Sequence, residues 1–112
     1  MKIGVILVTF NRLDKLKIAL ECYDKQNYLP KYIYVINNHS TDGTDEYLKE
    51  WMNIPSSYDK FVLELSYNSG GAGGFYAGLK AGLKKDADWL WVADDDAYPE
   101  ENAFEKLKEY YQ

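Results

Sequence analysis

The sequence predicts an α/β fold, a doubly wound, mainly parallel sheet of four strands with helices on both faces, and three observations carry that reading. Four apolar runs rich in β-formers, residues 3–8, 32–36, 61–65 and 89–93, start at positions 3, 32, 61 and 89, so the intervals are 29, 29 and 28 residues. Each interval suits a strand, a loop and a helix, and no residue-level repeat runs at that period. The first, second and fourth runs are apolar at nearly every position. Strands covered on both faces of a parallel sheet read this way. Between the runs, apolar residues recur at helical spacing. Right-handed crossovers then wind the chain into one open sheet.

The elements follow in order. After the first strand, Leu13, Leu16, Leu20 and Tyr23 form the stripe of a first helix, with Asn11 as its expected N-cap and Asp14 three residues on. Tyr47, Leu48, Trp51 and Met52 form a second stripe, capped by Thr41 or Asp42, with Asp45 in its first turn. Phe75, Leu79, Gly82 and Leu83 form a third. Ala103, Phe104, Leu107, Tyr110 and Tyr111 form a fourth, with Pro99 expected in its first turn. Pro30 and Pro55 fall between elements, and no linker or low-complexity tract divides residues 1–112.

Composition narrows the function classes. With 112 residues, there is room for one domain and one core. Aromatics at 16%, including 11 tyrosines, favour a packed chain over a disordered one. Lys and Arg are scattered and outnumbered 13 to 18 by Asp and Glu, so a nucleic-acid surface is not expected. Cys22 is alone, which excludes an internal disulfide and a cysteine-based zinc site. His39 is the one histidine, a poor start for a Ser-His-Asp site. The longest apolar stretch, residues 3–8, falls far short of the roughly 20 residues of a membrane span and has the wrong flanks for a signal peptide. A cytoplasmic or membrane-surface protein is the expectation.

In a doubly wound sheet, ligands bind beyond the carboxyl ends of the strands. The loops there are residues 9–12, 37–43, 66–74 and 94–99, and they hold the unusual residues. Asp94-Asp95-Asp96 ends the fourth strand. Two carboxylates about 6 Å apart repel by roughly 3 kcal/mol at an effective dielectric near 20. A hard divalent cation would offset that cost. In extended chain, Asp94 and Asp96 point the same way and Asp95 the other. The plain alternative is a solvated acidic turn before the helix.

Asn68-Ser69-Gly70-Gly71-Ala72-Gly73-Gly74-Phe75 opens the third helix. Glycines there let backbone N–H groups approach a phosphate at a helix N-terminus. The run follows the third strand rather than the first, and no Gly-Lys-Ser/Thr follows, so it is neither the dinucleotide fingerprint nor a P-loop. A flexible turn with close packing is the alternative. Asn37 and Asn38 offer amides at a strand end, suited to a base edge, while Ser40, Thr41 and Asp42 read as caps and Gly43 as a turn. In Thr9-Phe10-Asn11-Arg12, Arg12 faces either a phosphate or solvent.

Taken in order, these four segments resemble the N-terminal half of a family-two glycosyltransferase of the GT-A fold, in its galactofuranosyl- and rhamnosyltransferase-like branch. Val8-Thr9-Phe10-Asn11-Arg12 matches the family's Thr-Tyr-Asn-Arg. Asn37 through Thr44 matches its Asp-Asn-x-Ser-Thr-Asp-Gly-Thr, with Asn37 in place of the usual Asp. The glycine run matches Asn-x-Gly-Gly-Ala-Gly-Gly-Phe, and Trp91 through Ala97 its Asp-x-Asp segment. Each match alone is weak; four in order, each at a strand end, are specific.

The resemblance implies a Rossmann-like sheet of order 3-2-1-4, a truncated GT-A nucleotide-binding half. It implies transfer of a sugar from a UDP- or dTDP-sugar to a saccharide or lipid-linked acceptor hydroxyl, with inversion. It implies donor contacts from Thr9, Asn11, Arg12, Asn37, Asn68, Gly70, Gly71, Gly73, Gly74, Asp94 and Asp95, and Mn²⁺ or Mg²⁺ held by Asp94 and Asp96. The family's general base, a further metal ligand and the acceptor region lie downstream of the matched part. The expectation is a chain that binds donor but does not turn over alone, placed in the cytoplasm at the inner face of the membrane. Strand four, with Trp89 and Trp91, would form an exposed edge that invites self-association.

A non-catalytic nucleotide-sugar-binding module would use the same loops. A phospho-receiver domain needs an acid pair after strand one and an acceptor Asp after strand three, where this chain has residues 9–12 and 66–68. A dinucleotide oxidoreductase needs glycines after strand one, and there are none.

Overall fold

A computed structural model describes residues 1–68 and 70–111; Ser69 and Gln112 lie outside the described residues. Strands and helices alternate: β1 (Ile3–Thr9), α1 (Leu13–Asp24), β2 (Tyr32–Asn37), α2 (Thr44–Asn53), β3 (Asp59–Glu64), α3 (Gly70–Gly82), β4 (Trp89–Asp94) and α4 (Ala103–Tyr110). The sheet is parallel throughout, in the order β3-β2-β1-β4. The α/β class, the order and the strand positions agree with the sequence reading.

The core has two layers. On one face, Ile3, Val5 and Leu7 of β1 pack with Leu16, Leu20 and Tyr23 of α1, Leu48 and Trp51 of α2, and Phe104 of α4. On the other, Ile6, Val8 and Ile36 meet α3, with Tyr32 and the partly buried Phe61 and Leu90. Strand alternation sends odd and even residues of β1 to opposite helix layers, which is why all seven are buried. β4 departs from the expected two-sided cover, since Trp89 and Val92 remain exposed. It is an edge strand, and neighbours on one side alone do not close over it.

Two helices also differ from their stripes. In α3 the buried residues are Gly74, Gly78 and, from the expected stripe, Gly82, while Leu79 and, just past the helix, Leu83 are exposed. A Cβ on Gly78 would lie 2.4 Å from Ile6 Cγ2, and one on Gly74 would lie 2.7 Å from Val8 Cγ1. The helix backbone therefore rests directly on the sheet, and leucine would hold it off. In α4, Asn102 takes the N-cap position, so Pro99 precedes the helix instead of sitting in its first turn.

Candidate functional site: the carboxyl edge of the sheet

The parallel register aligns Thr9 with Asn37 and Asn37 with Glu64, and Val8 with Asp94. Four strand ends and their loops thus share one edge of the sheet. The loop after β1 is bonded to the loop after β2. Asn11 N–H donates to Ser40 Oγ at 3.0 Å, and Asn11 Oδ1 accepts from Thr41 N–H at 2.6 Å. Asn11 and His39 both adopt left-handed backbone, with φ of 48° and 62°. Asn11 therefore does not cap α1 as expected; that position falls to Arg12, which makes no side-chain cap bond. Asp42 does the capping from the next loop, accepting Leu13 N–H at 3.0 Å and Thr44 N–H at 3.2 Å. Burial opposes its ionisation, but the hydrogen bonds from Thr44 and Leu13 outweigh this and hold its carboxyl below the usual range.

The acids after β4 converge. One oxygen from each of Asp94, Asp95 and Asp96 lies within 4.8 Å of the others. The strand ends at Asp94 and the chain turns, with Ala97 N–H donating to Asp94 O at 3.2 Å. Extended-chain alternation no longer applies, so Asp95 joins the cluster instead of pointing away. Asp95 is fully buried. Its Oδ2 accepts from Thr9 Oγ1 at 2.9 Å and Phe10 N–H at 3.4 Å, and its Oδ1 has no hydrogen-bond partner among the described residues. Burial pushes its carboxyl up, with Thr9 and Arg12 opposing. Arg12 is partly exposed and pairs with the acids. Its guanidinium stands 3.0 Å from Asp96, 3.4 Å from Asp95 and 3.7 Å from Asp94. Three converging carboxylates and a buried oxygen without a hydrogen bond are the donor set a hard, oxygen-liganded cation takes.

A hollow of about 220 Å³ opens beside the acids. Of the predicted residues, Thr9, Arg12, Asn68, Gly70, Gly71 and Asp94 line it. Asn68 Oδ1 accepts Gly70 N–H at 2.9 Å, which fixes the turn into α3, and Gly70 has a φ of 76°. Asn37 lies outside the hollow, fully buried. Its amide nitrogen donates to Asp45 at 2.5 Å and Glu64 at 2.8 Å, and its oxygen accepts Ser40 N–H at 3.2 Å. Burial and the neighbouring Asp45 push the Glu64 carboxyl up. Gly73 lines a separate hollow with Tyr67 and Tyr76, and Gly74 is buried beneath Val8 and Asn38. Asn38, read with Asn37 as a strand-end amide, lines the hollow, and so does Phe75, which closes the glycine run. Asn38 Nδ2 donates to Gly70 O at 3.0 Å. That placement has a sequence signal, since Asn38 is the first residue past β2, where alternation against buried Asn37 turns it to the α3 face. A larger hollow, about 510 Å³ beside Cys22, Lys25 and residues 99–102, includes none of the predicted site residues.

Comparison with known proteins shows the family of the chain. The model of glycosyl transferase family 2 matches residues 4–112. The galactofuranosyltransferase GlfT1 of Mycolicibacterium smegmatis is 35% identical over 94 residues, 84% of this chain and 30% of that protein. The chain thus spans less than a third of the length of that relative. Residues 1–349 of S. aureus TarS, solved in complex with UDP-GlcNAc, superpose with a TM-score of 0.74 at 27% identity, over 98% of this chain and 30% of that one. The mannosyltransferase PcManGT from Pyrobaculum calidifontis, solved with GDP-Man and Mn²⁺, superposes at 0.76 with 22% identity, over 89% of this chain and 29% of that one, a likeness of fold.

Proposed function

The chain belongs to glycosyl transferase family 2, and on that premise we propose that its carboxyl edge binds a nucleoside-diphosphate-sugar, UDP- or dTDP-linked, for metal-dependent, inverting transfer to a saccharide or lipid-linked hydroxyl. The observation that carries this reading is the meeting of the acid cluster with the start of α3 at one hollow. Amides at a helix N-terminus favour phosphate, and carboxylates favour a cation that phosphate can share.

Each residue then has a task. Gly70 and Gly71 present backbone to the diphosphate, with Asn68 holding the turn and Gly74 keeping the helix close to the sheet. Thr9 supports the site through Asp95, to which its hydroxyl donates. Asn11 holds the first loop against the second. Asn37 marks the base end; meeting a uracil or thymine edge requires its amide to exchange a bond to Asp45 or Glu64 for one to the base. Asp94 and Asp96 would hold Mn²⁺ or Mg²⁺, with Asp95 fixed beneath them. Such an ion supplies positive charge against the leaving diphosphate. The general base and the acceptor contacts fall to none of these residues, and we place the protein in the cytoplasm or at the inner face of the membrane. Among the described residues no helix is long and apolar enough to cross one.

Calorimetry of UDP and dTDP, in Mn²⁺, in Mg²⁺ and in EDTA, tests the reading beside Asp96→Ala. Asp96 is exposed and pairs only at the surface with Arg12, so the variant keeps the fold. Metal-dependent binding that the variant loses is expected. A folded protein that binds neither nucleotide with either metal would overturn it.

A further inference from the structure

Arg12 is the one arginine in the sequence, and its charge sits among Asp94, Asp95 and Asp96, the first and last of which are proposed to hold the metal. We infer that Arg12 is an internal counter-cation, which neutralises the Asp94, Asp95 and Asp96 cluster in the metal-free protein and is displaced when a divalent cation enters. The inference rests on the metal reading above.

The geometry is that of a placeholder. Three formal negative charges face one positive charge. A planar fork satisfies one or two carboxylates well, but not three that converge. Only the contact with Asp96, at 3.0 Å, is a hydrogen bond. Asp95 Oδ1, fully buried and 3.4 Å from Arg12 Nε, still has no hydrogen-bond partner among the described residues. A buried charged oxygen in that state is costly, and a small cation of higher charge serves it better.

Displacement is also cheap in structural terms. The Arg12 side chain is 41% exposed. The backbone beneath it is held independently, by Asn11 to Ser40 and Thr41, by Leu13 to Asp42, and by Leu16 N–H to Arg12 O at 2.9 Å. The guanidinium can leave while α1 and its loop stay in place. Arg12 thereby becomes a positioning residue that sets metal affinity: it keeps the acids together when no ion is bound and competes with the ion when one arrives.

A single arginine makes the test direct. In ¹⁵N-labelled wild-type protein, the one guanidinium Nε–H signal is followed while Mg²⁺ replaces EDTA, together with the backbone amides of residues 94–96. In parallel, Mn²⁺ affinity is measured by calorimetry for wild type, Arg12→Lys and Arg12→Gln. The expected result is that the Nε–H signal moves in step with those amides. Arg12→Gln should bind Mn²⁺ about tenfold more tightly, the worth of one charge-assisted hydrogen bond, with Arg12→Lys between. Its melting temperature should fall in EDTA and recover in Mn²⁺. If Arg12→Gln does not fold, the wild-type spectrum and Arg12→Lys decide. Amides that shift while the Nε–H signal stays put, or variants that bind Mn²⁺ no more tightly, would overturn the inference and leave the metal reading standing. Amides that do not respond to either ion would overturn both.

Discussion

Asp42 shows how much one side chain does at this edge. Its carboxylate accepts the first free amide of α1 and of α2 and so ties two loops from different βα units. Replacing a capping side chain with alanine costs about 1 kcal/mol for one helix start, so Asp42→Ala, with two, is expected to lose about 1–2 kcal/mol in urea unfolding at pH 7. The sign with pH follows from the lowered carboxyl. A folded-state value below the unfolded 3.8 means that the contribution is present above the unfolded value and fades as pH falls through the folded one. The gap between wild type and variant should therefore close in acid. Arg12 belongs to the same scale: its competition with a divalent cation is a property of three contacts, read out by one signal.

At the scale of the element, α3 is the unusual one. Helices normally bury large side chains; this one buries Gly74, Gly78 and Gly82 and leaves Leu79 and, just past its end, Leu83 exposed. The glycines cost helix propensity, and the return is a backbone seated on Ile6, Val8 and Ile36. Gly78→Ala places a methyl 2.4 Å from Ile6 Cγ2 and 3.2 Å from Ile36 Cγ1, both in the covered middle of the sheet. The expected loss lies toward the upper end of the about 1–3 kcal/mol of core overpacking, above the about 1 kcal/mol that alanine returns in propensity. Among the described residues, Gly71 has nothing within 4 Å of an added Cβ. Gly71→Ala should melt at or above the wild-type temperature. Equal effects from the two substitutions would contradict the seating of α3.

At the scale of the molecule, the sheet is open at β3 and β4. β4 presents Trp89, stacked 4.3 Å from Tyr111, and exposed Val92 along an unpaired edge. Such an edge accepts another strand. We expect concentration-dependent self-association in sedimentation velocity, and a lysine at the centre of the strand, Val92→Lys, to suppress it without changing the melting temperature. Association equal in both would remove the edge from consideration.

Much of the architecture was legible locally. Strand runs, the regular βα interval and the loops at the carboxyl edge are written in period-two and period-3.6 patterns, and local pattern survives folding wherever a covered face demands it. The errors have one cause. The stripe Phe75, Leu79, Gly82 and Leu83 takes in two exposed leucines because periodicity counts apolar size, and it does not register that a helix lacking side chains can approach a sheet more closely. Pro99 and Asn11 were read as helix-start signals, but the helix begins elsewhere or is capped from another loop. Asp95 was turned away by an alternation that holds only while the strand continues.

Class of fold, family and the place of four unusual segments at the strand ends are all legible in the residues alone. Tertiary structure alone decided what those segments do to one another. Thr9 meets Asp95 across 86 positions, and Arg12 meets Asp96 across 84, because the order β3-β2-β1-β4 lays the last strand beside the first. No local period records that adjacency. It follows from pairing both edges of β1, with β2 on one side and β4 on the other, and it brings the chain's one arginine to its three consecutive aspartates.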